Sequence, residues 1–187
     1  DLVQAEISDL PKLDSLNIAL RNTEELVLRN LPMLTKLRIS GEALQKIDWQ
    51  SLPSLKKVTT GKCPKLRFDW TNVKGIEKLV CYNSQLTELN LKGLSRLTEL
   101  NCSSKLLTSL DLSDLVSLRQ LNCSFNQLTQ LDLAHHPKLL RLNCARNKLL
   151  ELSYPQSTNL ERLDCSFNQL THLNLKGKTE LRIVSCG

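Results

Sequence analysis

The chain has 187 residues, 41% of them hydrophobic and only 4% aromatic, and its 25 lysines and arginines against 19 acids leave a net charge of +6. That excess is spread almost evenly over both halves, too diffuse for the basic stripe of a nucleic-acid binder, so no nucleic-acid partner is expected. The longest apolar runs are a few residues, far short of the roughly 20 that cross a bilayer, and no signal-peptide pattern opens the chain, so no membrane insertion is expected.

Along the chain one period organises everything. Leu13, Leu34, Leu55, Ile76, Leu97, Leu118, Leu139, Leu160 and Leu181 stand 21 residues apart, and three residues after each comes Leu16, Leu37, Val58, Leu79, Leu100, Leu121, Leu142, Leu163 or Val184. A fixed period of this length predicts a solenoid in which each unit stacks only on its neighbours. Residues 1–187 read as one repeat domain: a half repeat over 1–12, eight full repeats over 13–180 and a truncated one over 181–187. Neither end carries a polar cap, so the chain is expected to be part of a larger protein with a further domain, or to pair its ends with another molecule, with Leu2, Leu181 and Val184 partly exposed.

Counting the first leucine as position 0, the consensus is LxxLxCxxNxLxxLDLxxLxx. Positions 3 and 5 alternate with polar residues, as in Leu121, Asn122 and Cys123, which predicts a short strand buried on one face. Positions 13 and 15 repeat the alternation in Leu131, Asp132 and Leu133 and predict a second short extended segment across the coil. The Asn at position 8 (Asn126, Asn147, Asn168) sits where the chain turns inward, and its amide is expected to satisfy backbone groups of adjacent coils. Prolines at position 19 (Pro11, Pro32, Pro53, Pro137) mark the loop before the next strand.

The first three full repeats depart from this pattern, with Ile18, Ile39 and Thr60 at position 5 and Arg21, Glu42 and Cys63 at position 8, so their turns are expected to differ. Trp49 and Trp70 take position 15 one coil apart, which predicts a stacked core pair; an exposed aromatic platform is the other reading. Further on, Cys81, Cys102, Cys123, Cys144, Cys165 and Cys186 all take position 5 and should align as one inward column. Neighbouring strands hold equivalent side chains about 4.8 Å apart, whereas a disulfide wants Cβ atoms about 3.8 Å apart, so free thiols are expected. A straight column cannot close the tetrahedron of a zinc site either, so neither a metal nor a cofactor is expected.

These motifs resemble leucine-rich repeats over essentially the whole chain. They are most similar to the bacterial 21-residue nested (IRREKO-type) class, in which LxxLxCxxNx and LxxLDLxxxxx halves alternate; LNCSFNQLTQLDL at 121–133 and LDCSFNQLTHLNL at 163–175 are specific matches. Internalin-type repeats are similar through position 13 but run 22 residues and then form a helical turn. The resemblance implies a right-handed solenoid, α/β by convention but mostly β, with a continuous parallel concave sheet of about nine strands and little helix. It also implies a noncatalytic bacterial interaction scaffold, secreted or on the cell surface, that binds a protein on the concave face. Two alternatives are carried: the substrate-recognition part of a secreted effector enzyme such as a ubiquitin ligase, delivered into host cytosol, and an anion or glycan binder.

Outward concave side chains come from positions 2, 4 and 6. Position 2 reads Lys36, Lys57, Lys78, Glu99, Gln120, Arg141 and Arg162, and position 4 includes Arg38, Asn101, Asn122, Asn143 and Asp164. Nine strands give a face of roughly 600 Å², close to the roughly 800 Å² that one partner buries in a standard interface. Its N-terminal part is basic, which fits an acidic partner surface or a merely solvated sheet face, whereas its stacked amides are expected to bond to one another. Tyr82, Phe125 and Phe167, at positions 6 and 7, are candidate aromatic anchors, although duplication of SFNQL also accounts for both phenylalanines. The three histidines, His135, His136 and His172, lie away from the concave strands, and no catalytic motif breaks the period.

Overall fold

A computed structural model of the protein describes residues 3–82, 86–103, 106–153 and 159–187, and among these the chain forms strands and turns without helix. Nine strands form one parallel sheet: β2 (Ser15–Ala19), β4 (Lys36–Ser40), β6 (Lys57–Gly61), β7 (Lys78–Tyr82), β8 (Glu99–Asn101), β9 (Gln120–Asn122), β10 (Arg141–Asn143), β11 (Arg162–Asp164) and β12 (Ile183–Ser185). They lie side by side in chain order, and each pairing joins residues one period apart; Leu142, for instance, lies opposite Leu121 and Leu163. The pattern fixes this register, because a slip of one residue would turn every buried Leu to solvent.

The second extended segment behaves differently along the chain. β1 (Gln4–Ser8), β3 (Glu25–Arg29) and β5 (Lys46–Gln50) form a three-stranded parallel sheet across the first coils. Beyond them the expected segment makes no ladder among the described residues, only an isolated bridge between Asp132 and Ser153. The physical reason is at position 14. Asp69, Asn90, Asp111, Asp132 and Asn174 each turn a side-chain oxygen onto the backbone N–H two residues on, at 2.9–3.1 Å. Such Asx turns compete with strand pairing. Where position 14 is Glu6 or Val27 no such turn forms and the ladder persists, and Asp48, whose carboxylate accepts from the Gln50 side chain instead of a backbone N–H, also stays in the ladder. Hydrogen bonds from Thr71 and Ser113 correspondingly hold the Asp69 and Asp111 carboxyls below the usual carboxylate range.

A similar device sets concave strand length. β2, β4, β6 and β7 run five residues, β8 to β11 three. In the short strands the position-4 side chain accepts from the backbone N–H at position 6: Asn101 from Ser103, Asn122 from Ser124, Asn143 from Ala145, Asp164 from Ser166. The amides therefore bond within their own coil. The expectation that they bond to one another is corrected.

Between the two walls runs a column of aliphatics such as Leu31, Leu34, Leu94 and Leu97, fully buried. Each contributes roughly 1.5–3 kcal/mol. Trp49 and Trp70 are buried and stacked, centroids 5.5 Å apart, and Phe68 joins them at 4.8 Å from Trp70, so the core reading of the tryptophans holds. Asn126, Asn147 and Asn168 act as expected. The Asn147 Nδ2 donates to the carbonyls of Cys123, Cys144 and Ala145, and its Oδ1 accepts from Leu128 N–H at 3.0 Å. At the last coil Val184 is 39% exposed and Leu181 half-buried, whereas Leu2 lies outside the described residues.

Candidate interaction face

The parallel ladder stacks equivalent side chains into columns, so the outward face of the nine-stranded sheet is a set of straight files rather than a scatter of residues. Position 2 gives Ser15, Lys36, Lys57, Lys78, Glu99, Gln120, Arg141, Arg162 and Ile183 in unbroken register. Position 4 runs beside it from Arg38 through Thr59, Val80, Asn101, Asn122 and Asn143 to Asp164.

These files form an open trough of about 470 Å³, which the fold places over β7 to β12. It brings together Lys78, Glu99, Asn101, Gln120, Asn122, Arg141, Asn143, Arg162 and Asp164 of the residues singled out by sequence. Lys36, Arg38, Lys57 and Tyr82 lie on the same sheet but outside the trough, and Phe125 and Phe167 lie past the strand ends and do not line it either. At the N-terminal end the Tyr82 ring lies over Gly61, where an added Cβ would come within 2.7 Å of it. Its hydroxyl accepts from Arg38 Nη2 at 2.6 Å, and the guanidinium sits 5.5 Å from the ring centroid. Tyr82 thus spans three coils and engages the Arg38 charge.

Charge is distributed unevenly along the trough. Lys78 pairs with Glu99, so the junction of the basic file and the amide file is internally neutralised. Asp164 accepts from the Ser166 hydroxyl at 2.6 Å. Arg141 and Arg162 are exposed, adjacent in register, and join none of the ion pairs among the described residues. The trough floor thus carries the amides of Asn101, Asn122 and Asn143 and the Asp164 carboxylate, beside the Arg141 and Arg162 guanidiniums.

Arg146 was not singled out by the sequence, although it shares position 7 with Phe125 and Phe167. The structure stacks the three: the Arg146 guanidinium carbon is 5.2 Å from the Phe125 centroid and 4.1 Å from that of Phe167. The two rings are 45% and 60% exposed and stand at the rim, just past the ends of β9 and β11.

Five of the six thiols in the column are shielded from solvent. Cys81, Cys102, Cys123, Cys144 and Cys165 are buried and free, and Cys186 is exposed. Burial pushes Cys81 up to about 12 and Cys165 up to about 11, and raises Cys102, Cys123 and Cys144 still further. Off the column, Cys63 is raised by burial and donates to the Gly61 carbonyl at 3.2 Å. Among the described residues no group of three His, Cys, Asp or Glu could hold a metal ion. His136 fills a leucine position in the core, 3% exposed, with Nε2 donating to the Leu112 carbonyl at 3.1 Å.

Comparison with known proteins gives a consistent picture. No family model and no curated protein matches the chain. Among solved structures it is similar to the functional domain of InlJ from Listeria monocytogenes, described as including a cysteine ladder, with 26% identity and a TM-score of 0.65 over 88% of this chain and 44% of that one. It is also similar in fold to a leucine-rich repeat protein of Leptospira interrogans, with 18% identity and a TM-score of 0.52 over 88% of this chain and 60% of that one. The chain therefore spans less than two thirds of each of these two structures. At the level of the family these likenesses support a protein-interaction scaffold, and such repeat scaffolds are typically noncatalytic.

Proposed function

From the premise that this chain is a leucine-rich repeat protein with internalin-like repeats, we propose that it is a noncatalytic adaptor of a bacterial surface or secreted protein, which docks a protein partner in the C-terminal trough of its concave face. The observation that carries this reading is the coincidence, over β8 to β11, of concavity, a fixed amide file and two unpaired guanidiniums, Arg141 and Arg162. Amides held by Asx turns are preorganised, so a partner's polar backbone meets donors already in place. Guanidiniums on a sheet face steer an acidic surface and fix its orientation.

The N-terminal basic file supports the same partner less directly. Lys36 and Lys57 add long-range attraction, but Arg38 is engaged by Tyr82 and Lys78 by Glu99. The test is comparative capture from bacterial and host lysates with wild type, Arg141→Glu/Arg162→Glu and Lys36→Glu/Lys57→Glu. The reading expects a protein retained by wild type to be lost from the Arg variant and to bind the Lys variant with a slower on-rate. Equal retention by wild type and the Arg variant sinks it.

A further inference from the structure

The repeat contains two places where the backbone enters the left-handed region. At position 17 the residues there are Asp9, Asn30, Ser51, Gly93 and Gly177, with φ between 51° and 84°. These are the small and turn-forming residues that such a conformation favours. At position 7 they are Lys62, Phe125, Arg146 and Phe167, with φ of 53° to 56°. Bulky side chains are rare outliers in this region, and a phenylalanine there stores backbone strain. Nor does burial offset it: Phe125 and Phe167 are 45% and 60% exposed, and Arg146 is exposed. The same protein thus follows backbone preference at one left-handed position and goes against it at the other, where the side chains face outward beside the trough.

What those side chains build is a three-layer stack. Arg146 lies between the two rings, which are two coils, about 10 Å, apart. Its carbon lies over both rings, and a guanidinium stacked in this way has its faces covered by π-systems and its N–H edge turned outward. No carboxylate among the described residues pairs with it. A planar guanidinium held edge-out has the geometry for a bidentate carboxylate, and stacking removes the rotamer freedom that binding would otherwise have to freeze.

We propose that Phe125, Arg146 and Phe167 form a rim clamp that presents the Arg146 guanidinium to a carboxylate of the protein docked in the trough. The clamp rests on the reading of the trough as the docking face and adds a specific contact to it. The occupant it fits is an acidic segment that runs along the trough and sets one Asp or Glu side chain over the rim. Among the described residues Arg146 joins no ion pair, nor do Arg141 and Arg162 on the adjoining strands, and these three guanidiniums outnumber the one carboxylate between them, Asp164, so this corner suits an acidic segment.

The test uses a capped hexaglutamate peptide as probe, followed by fluorescence anisotropy and by the arginine side-chain N–H resonances. Hexaglutamate is expected to move the Arg146 Nε–H signal and to bind Arg146→Gln about tenfold more weakly than wild type. Arg146→Lys keeps charge but not the fork, and Phe125→Asn/Phe167→Asn keeps the arginine but not the stack. Both should lose at least threefold, whereas Lys148→Gln, in the same coil but outside the stack, stays within twofold. Asn suits the left-handed backbone, so the Phe variant remains folded, which its melting curve verifies. Wild-type affinity in Arg146→Lys or in the Phe variant overturns the clamp, as does no binding to any form. Full competition by inorganic phosphate at equal concentration overturns the carboxylate assignment. Movement of Arg141 and Arg162 with Arg146 still would leave the trough reading and remove the clamp; movement of Arg146 alone would do the reverse.

Discussion

The first coils and the last coils of this solenoid share one period and one apolar phase, yet they are held together by different means. In the first, backbone ladders run along both walls, five residues long, and the interior is filled by Ile18, Ile39, Thr60 and the Phe68–Trp70–Trp49 stack. In the last, the ladder shortens to three residues on one wall, and polar side chains replace it: position-4 Asx turns, position-14 Asx turns and the buried Asn column. The lesson is that a repeat can exchange strand pairing for side-chain hydrogen bonds without changing its length. The exchange bears on the proposed docking face, because the short strands and fixed amides coincide with the trough.

Alkaline pH should separate the two regions most strongly. In the last coils the inward column consists of thiols whose pKa values rise on folding, so their contribution is fully present below the unfolded value of about 9 and is lost as pH rises through the folded value. Cys81, raised to about 12, alone removes about 1.4 kcal/mol of stability per pH unit between those limits. Cys102, Cys123 and Cys144 act in the same direction. Urea unfolding in reducing buffer should show stability falling steeply from pH 9 to 11, with hydrogen exchange rising first in the last coils. Uniform exchange along the chain would contradict the division.

Next in size is the asparagine column. Asn147→Ala leaves three carbonyls and the Leu128 N–H without their amide partner, at a cost of about 3–4 kcal/mol in a urea titration. Arg21→Ala and Glu42→Ala, at the same repeat position but exposed, should stay within about 0.5 kcal/mol of wild type. In the first coils the aromatic stack takes over that role. Trp70→Leu loses ring stacking and the hydrogen bond to the Asn90 carbonyl, for about 2–3 kcal/mol by the same measurement. Smallest of all is the effect of Arg141→Gln/Arg162→Gln on stability, within about 0.5 kcal/mol, since both are exposed and unpaired.

Much of this architecture was legible in the sequence because a stack of coils turns spacing directly into position. The period alone placed Cys81 to Cys165 in a buried column, Asn126, Asn147 and Asn168 at the inward turn, and Trp49 on Trp70. What it could not place depends on competition between hydrogen-bond partners. Asp132 reads as a strand residue in Leu-Asp-Leu, but its carboxylate captures Ala134 N–H and ends the strand. Asn122 reads as one rung of an amide ladder, but Ser124, two residues on, is nearer than the next coil. The same holds for the candidate site. The columns were readable, whereas the Tyr82–Arg38 bridge over Gly61 and the Arg146 stack depend on side-chain reach across one or two coils.

Docking of a protein partner in the C-terminal trough can be read out by placing a photocrosslinking residue at Asn122 in the trough, at Thr59 on the N-terminal strands of the same sheet, and at Ser109, exposed in the segment across the coil. Irradiated with the captured partner, the protein should form its adduct from Asn122 and little from Ser109. An adduct from Ser109 with Asn122 silent would contradict docking in the trough.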